Sequence, residues 1–154
     1  MEIIQHEQQK HNILLTSDYC PNQAIINEFQ TIFFTCKLQR IELCEKELKD
    51  FIVDDGARFL MLHVTIRNIT NEILTMYKDD FMITFDNEGP FEAEDNFGIR
   101  NQLPDEYALK PQEEISGCLV FIISSSAKKI MLSYTEYFDD ESEGKTYKLK
   151  YKIG

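Results

Sequence analysis

At 154 residues, with 43% apolar and 28% charged side chains, the chain has the length and composition of one globular domain and is not intrinsically disordered. Its 27 acidic residues outnumber 16 basic ones, and the net charge of −11 excludes the basic stripe that a nucleic-acid backbone demands. No run of about 18 apolar residues occurs, which excludes a membrane-spanning helix.

Eleven Phe and seven Tyr, with abundant Ile and Leu and little Ala, favour strands over helices. Residues 1–22 read as an N-terminal extension to a domain over residues 23–154, with Ile13-Leu14-Leu15 as a short leading strand. The start, Met1 to Lys10, is polar and lacks the basic residues and apolar core of a secretory signal. A cytoplasmic location is therefore expected; an extracellular or cell-surface one is the alternative if an export signal precedes the chain. Ala24 to Phe29 read as strand, a turn at Asn27-Glu28, and strand.

A long strand is expected from Phe29 to Glu45, with Ile32, Phe34, Cys36 and Leu38 on one face. The apolar phase then moves to Ile41 and Leu43, and a β-bulge at Gln39 or Arg40 explains the slip. Asp54-Asp55-Gly56 signals a turn. After it Leu60, Leu62, Val64 and Ile66 alternate with Met61, His63, Thr65 and Arg67, and Asn68 to Glu72 turn the chain. Asn68-Ile69-Thr70 has the form of a glycosylation sequon and is read as part of that turn.

Phe81, Ile83 and Phe85 define a further strand that ends at Asp86 to Pro90. Residues 87–117 are polar and hold three of the four prolines, with a short strand around Phe91. Cys118 to Ile123 is a continuous apolar run, expected to be buried on both faces. Ile130, Leu132 and Tyr134 follow the Ser124-Ser125-Ser126 turn. Tyr147, Leu149, Tyr151 and Ile153 then alternate with Lys148, Lys150 and Lys152, whose charges would guard a sheet edge. Seven to nine short strands predict an all-β, immunoglobulin-like antiparallel sandwich.

Two segments carry a resemblance. Gly56 to Glu72 reads as a glycine, alternating hydrophobics about Val64, and Asn68 before a polar turn. Leu109-Lys110-Pro111-Gln112-Glu113 leads through Gly117 into Leu119-Val120-Phe121. Together they resemble the bacterial telokin-like, immunoglobulin-like domain family, mostly found in secreted or lipid-anchored proteins of Gram-positive bacteria. The resemblance spans residues 23–153. It implies the sandwich fold, a cell-envelope setting and no catalytic residues. This chain carries Gln112 where the family has glycine.

Candidate chemistry is sparse. Cys20, Cys36, Cys44 and Cys118 form no C-x-x-C pair; Cys36 and Cys118 sit in strand patterns and read as unpaired core thiols, a disulfide between them being the alternative. His6 and His11 are five residues apart, not the four that align two ligands on a helix, and His63 is expected in solvent. No metal or cofactor is therefore expected. The serine turn lacks a nucleophile elbow, and Cys20 lacks a neighbouring cation to lower its pKa, so no enzyme activity is expected.

Acidic residues dominate two segments. Residues 86–114 hold nine of them, and Glu136, Asp139, Asp140, Glu141 and Glu143 form a second group. The second group fails as an EF-hand because Lys150 occupies the twelfth position. Three readings stay open: a looser calcium site between loops, an acidic face for a basic protein partner, and solvated loops that serve solubility. The second is the functional expectation, with Phe91, Glu92, Glu94, Asp95 and Phe97 in one segment and Tyr137, Phe138, Asp139, Asp140, Glu141 and Glu143 in the other. Aromatics set among acids suit interface anchors with a charged rim. The expected role is a cytoplasmic inhibitor or immunity-type protein, and the alternative is a cell-envelope accessory domain.

Overall fold

The computed structural model describes residues 10–13, 27–45, 47–138, 140 and 142–153. Along them run β1 (Lys10–Ile13), β2 (Glu28–Gln30), β3 (Phe34–Cys44), β4 (Glu47–Leu48), β5 (Phe51–Ile52), β6 (Ala57–Asn68) and β7 (Leu74–Tyr77). A 3-10 turn, Lys78–Asp80, leads to β8 (Phe81–Phe85). Then come β9 (Glu88–Glu92), β10 (Glu106–Leu109), β11 (Glu114–Ser124), β12 (Lys129–Tyr137) and β13 (Glu143–Lys152).

Alternation with a period of two places one set of side chains between two sheets. One sheet runs β1-β3-β6-β11 with β2 also on β3, the other β13-β12-β8-β9, and every pairing is antiparallel. Among the described residues these two layers hold nine strands; the ribbons β4–β5 and β7–β10 are additional. Leu60, Leu62, Val64 and Ile66 of the first sheet pack in one core with Phe81, Ile83 and Leu132 of the second. Burial of each such side chain contributes about 1.5–3 kcal/mol. The fold is the expected antiparallel β-sandwich.

The expected bulge lies between Leu38 and Arg40. Leu38 pairs with Val64 and Arg40 with His63, which leaves Gln39 as the extra residue. Phe34, Cys36 and Leu38 before it, and Ile41 and Leu43 after it, all reach the core.

The strand expected from Phe29 to Glu45 is instead a tight hairpin. β2 folds back on β3, with Phe29 opposite Cys36. Thr31 makes the turn: its hydroxyl accepts the N–H groups of Phe33 and Phe34, both at 3.0 Å. Ile32 therefore sits at the tip, 60% exposed, rather than on the inner face, and Glu28 belongs to a strand rather than a turn. Leu14, Leu15, Cys20 and residues 24–26 lie outside the described residues, while β1 runs antiparallel to Ile41–Cys44.

Phe59, Met61, Cys118 and Val120 point to the opposite face of the first sheet. There they join Cys44 and Leu48 in a second apolar cluster. This explains why Phe59 to Leu62 and Cys118 to Phe121 lack alternation: both faces are covered. The run departs from expectation at Ile122, which is 41% exposed. Gly117 has a packing reason, since a Cβ there would meet the Asn101 carbonyl oxygen at 2.8 Å.

Gln112 takes φ +65°, the left-handed region that favours glycine. Its exposed amide accepts a hydrogen bond from Arg67 at 3.3 Å, a contribution smaller than the backbone strain. Gln112→Gly is expected to stabilise the fold by about 0.5–1 kcal/mol. A rise in thermal midpoint tests this, and a fall would show that the side-chain contact dominates.

Candidate functional site

The first acidic segment is a constructed loop. After β9, residues 93–103 run along the edge of β11. The Glu94 N–H donates to Val120 O at 2.7 Å, Leu103 N–H to Cys118 O at 2.9 Å, and Cys118 N–H to Asn101 O at 2.7 Å. Two amides staple the loop internally. Gln102 accepts from Phe97 N–H at 3.0 Å and donates to Asp95 O at 3.2 Å, while Asn96 accepts from Gly98 N–H at 3.0 Å.

Lys78 anchors the loop from beneath. Its buried ammonium donates to Ala93 O at 3.0 Å and pairs with Asp79 at 2.6 Å and Asp95 at 3.1 Å. Burial alone would lower its pKa, but the two carboxylates outweigh burial and raise it. Asp95 is thus held within the loop by Lys78 while its carboxylate stays exposed to solvent.

Phe97 packs on the second apolar cluster and meets Phe51 edge-to-face, ring centroids 4.6 Å apart. Phe51 and Ile52, 52% and 76% exposed, come from the β4–β5 ribbon. Lys49 at the ribbon's turn donates to Gly98 O at 3.0 Å and ties ribbon to loop. Together with Phe59, Ile122, Glu94, Asp95 and Asn96 they line a depression of about 340 Å³. Its walls are aromatic and aliphatic, and its rim carries carboxylates.

Of the sequence candidates, Glu94, Asp95 and Phe97 meet at this depression. Phe91 and Glu92 lie on β9, where Phe91 stacks on Phe85 at 5.4 Å. Tyr137, Phe138 and Glu143 belong to the β12–β13 hairpin, closed by Phe138 N–H donating to Ser142 O at 3.0 Å. Asp140 accepts from the Ser142 hydroxyl and N–H, which holds its carboxyl below the usual range. Asp139 and Glu141 lie outside the described residues. Glu136 is buried and accepts the Tyr147 hydroxyl at 2.7 Å, so it is structural.

Phe51, Ile52 and Ile122 were not legible as site residues. The ribbon is only two residues per strand and shows no period. Its one signal is an apolar run of three, Phe51-Ile52-Val53, set between the charged Lys49-Asp50 and Asp54-Asp55.

His63 is half-buried, not solvated: its Nε2 lies 3.0 Å from Glu42 Oε1, and Arg40 approaches the same carboxylate at 3.6 Å. Among the described residues no three His, Cys, Asp or Glu side chains converge to hold a metal ion. Cys36 and Cys118 are free, buried thiols on opposite faces of the first sheet, Cys36 in the inter-sheet core and Cys118 in the outer cluster. That placement separates them beyond disulfide reach.

Burial, reinforced by Glu28, pushes the Cys36 thiol from 9.0 up to about 12. Burial, with Glu42 raising and Arg40 lowering, pushes Cys118 to about 11. Between about pH 9 and those values the unfolded chain loses protons that the folded chain keeps. Stability is therefore complete below about pH 9 and falls above it, by about 1.4 kcal/mol per pH unit for each thiol. Urea midpoints across pH 8–11 check the sign. At pH 8 both thiols should resist iodoacetamide until the chain unfolds.

No curated protein matches the chain. Among solved structures it is similar to ycdA of Bacillus subtilis, provisionally assigned as a lipoprotein, at 17% identity and TM-score 0.60 over 79% of this chain. The chain spans only 38% of ycdA. It is also similar to yjhA of Bacillus subtilis (15% identity, 70% of this chain and 77% of that one, TM-score 0.58). A functionally unknown Listeria monocytogenes protein matches at 11% identity over 94% of this chain and 86% of its own, TM-score 0.53. At such identities the likeness shows the fold. Through a match over residues 28–146, the chain belongs to DUF4352, a family of domains of unknown function.

Proposed function

We propose that this is a non-enzymatic protein-binding domain, with the Phe51, Ile52, Phe97 and Ile122 patch as its anchor and Glu94 and Asp95 as a charged rim. One observation carries the reading: large apolar side chains from two separate segments are exposed together in one depression rimmed by acids. Contiguous exposed apolar surface with a polar rim is the hallmark of an interaction site. The net charge of −11 and the acidic rim select a basic partner and accelerate its encounter. Tyr137, Phe138, Asp140 and Glu143 of the β12–β13 hairpin are a second acidic and aromatic locus for the same kind of contact.

On this reading the sandwich is an immunoglobulin-like, telokin-like scaffold that displays binding loops, and its role is that of an inhibitor or immunity-type protein. The lipoprotein assignment of ycdA favours a second reading, an accessory domain of the cell envelope. Both use the same patch.

The test is affinity capture from host lysate with the native chain and with a Phe51→Ser, Ile52→Ser, Glu94→Gln, Asp95→Asn variant. A basic protein retained by the native chain and lost with the variant is the expected result. Identical retention on both would overturn the proposal.

A further inference from the structure

We infer that the partner docks by adding an extended, basic and apolar segment as a strand to the edge of β11 at Ile122. This rests on the patch being a protein-docking site and names how it is used.

β11 pairs with β6 in unbroken antiparallel register from Glu114 to Ser124. In such a ladder alternate residues turn their backbone N–H and C=O away from the partner strand. Cys118 does so through both groups, which bond Asn101 and Leu103 of the covering loop, and Val120 does so through its carbonyl, which accepts from Glu94. Two residues further on, Ile122 must present its own N–H and C=O to the same edge. The covering loop does not reach it: among the described residues no backbone partner meets either group. At Ser124 the chain closes again, its carbonyl accepting Ala127 N–H at 3.0 Å.

Proteins usually guard such edges. The β13 edge of the other sheet carries Lys148, Lys150 and Lys152; on the β11 edge the loop covers Cys118 and the Val120 carbonyl, and the exposed outward-facing residue before them, Ser116, is polar. Ile122 has neither defence. It is apolar, 41% exposed, and shares its depression with Phe51, Ile52 and Phe97. An added strand would bond Ile122 through its backbone and lay alternate apolar side chains on that surface, the arrangement of β-augmentation. Glu94 and Asp95 at the rim favour a segment that carries lysine or arginine.

The probe is an octapeptide of alternating lysine and valine, titrated into the 15N-labelled full chain with amide exchange recorded. Binding is expected to slow exchange at Ile122 at least tenfold and to shift the resonances of Phe51, Ile52 and Phe97. Ile122→Pro removes an N–H that the fold does not use, and should weaken binding at least tenfold. Binding at the patch with Ile122 exchange unchanged overturns strand addition but leaves the docking patch standing. An octapeptide that moves no patch resonance at millimolar concentration overturns both. Equal binding by a glutamate–valine peptide overturns the choice of a basic segment.

Discussion

Replacing Phe34 by alanine is expected to lower the stability of the sandwich by about 3–5 kcal/mol. Phe34 is fully buried at the start of β3 and meets three rings from other segments. Its centroid lies 6.2 Å from Phe29, 5.9 Å from Phe81 and 4.9 Å from Tyr134, all edge-to-face. Phe29 comes from the folded-back β2, whereas Phe81 and Tyr134 belong to the other sheet. The ring therefore joins the two layers and the hairpin at one point. Aromatic pairs of this geometry add about 0.5–1.5 kcal/mol to burial, so loss of three places Phe34→Ala at the upper end of the range. Because the neighbours sit on paired strands, the cavity has little freedom to collapse. Denaturant midpoints of native and variant chains measure the effect, and a loss below about 1 kcal/mol would mean the two sheets repack around the gap.

The second large effect is expected at Asn68, the fully buried end of β6. Its amide nitrogen lies within hydrogen-bond distance of Glu72 O at 2.7 Å, Leu109 O at 3.0 Å and Lys110 O at 3.1 Å, its two N–H groups being shared among the three carbonyls. Its oxygen accepts the Thr70 N–H and hydroxyl, both at 2.8 Å. One side chain thus shapes the 69–72 turn and fastens it to the segment entering β11. Asn68→Ala leaves several of these backbone groups without a partner in a dry place, a cost of about 1–3 kcal/mol for each group that water cannot reach. A total loss of about 3 kcal/mol is expected. Asn68→Asp should not rescue it, because a carboxylate cannot donate to the three carbonyls and would face them with like charge. Rescue by aspartate would show that the accepting oxygen alone holds the turn.

The layers of the fold were legible wherever a period of two survived. Leu60 to Ile66, Phe81 to Phe85 and Tyr147 to Ile153 are strands as their alternation requires, and the phase change after Leu38 located the bulge. Legibility failed where a side chain imposed a local bond. The Thr31 hydroxyl turns the chain back within an apolar, strand-like run and leaves Ile32 outside. It failed also where tertiary cover decided burial: Ile122 lies in the same apolar run as Val120, but the covering loop ends before reaching it.

The candidate site was half legible for a related reason. Glu94, Asp95 and Phe97 stand out as an aromatic among acids. Phe51 and Ile52 become their neighbours through tertiary contacts, Phe51 on Phe97 and Lys49 with Gly98, the latter across 49 residues, that no local pattern announces. Conversely, Glu136 reads as a surface acid by composition, yet the Tyr147 hydroxyl holds it inside.

The most direct measurement is site-specific photo-crosslinking in the native host, with a photoreactive phenylalanine analogue placed at Phe51 or, as a control, at the exposed Ile73 outside the patch. The expected result is one adduct to a basic protein at Phe51, absent at Ile73 and abolished by Glu94→Gln with Asp95→Asn. The same adducts at both positions, or an adduct indifferent to the two carboxylates, would contradict the patch as the docking site.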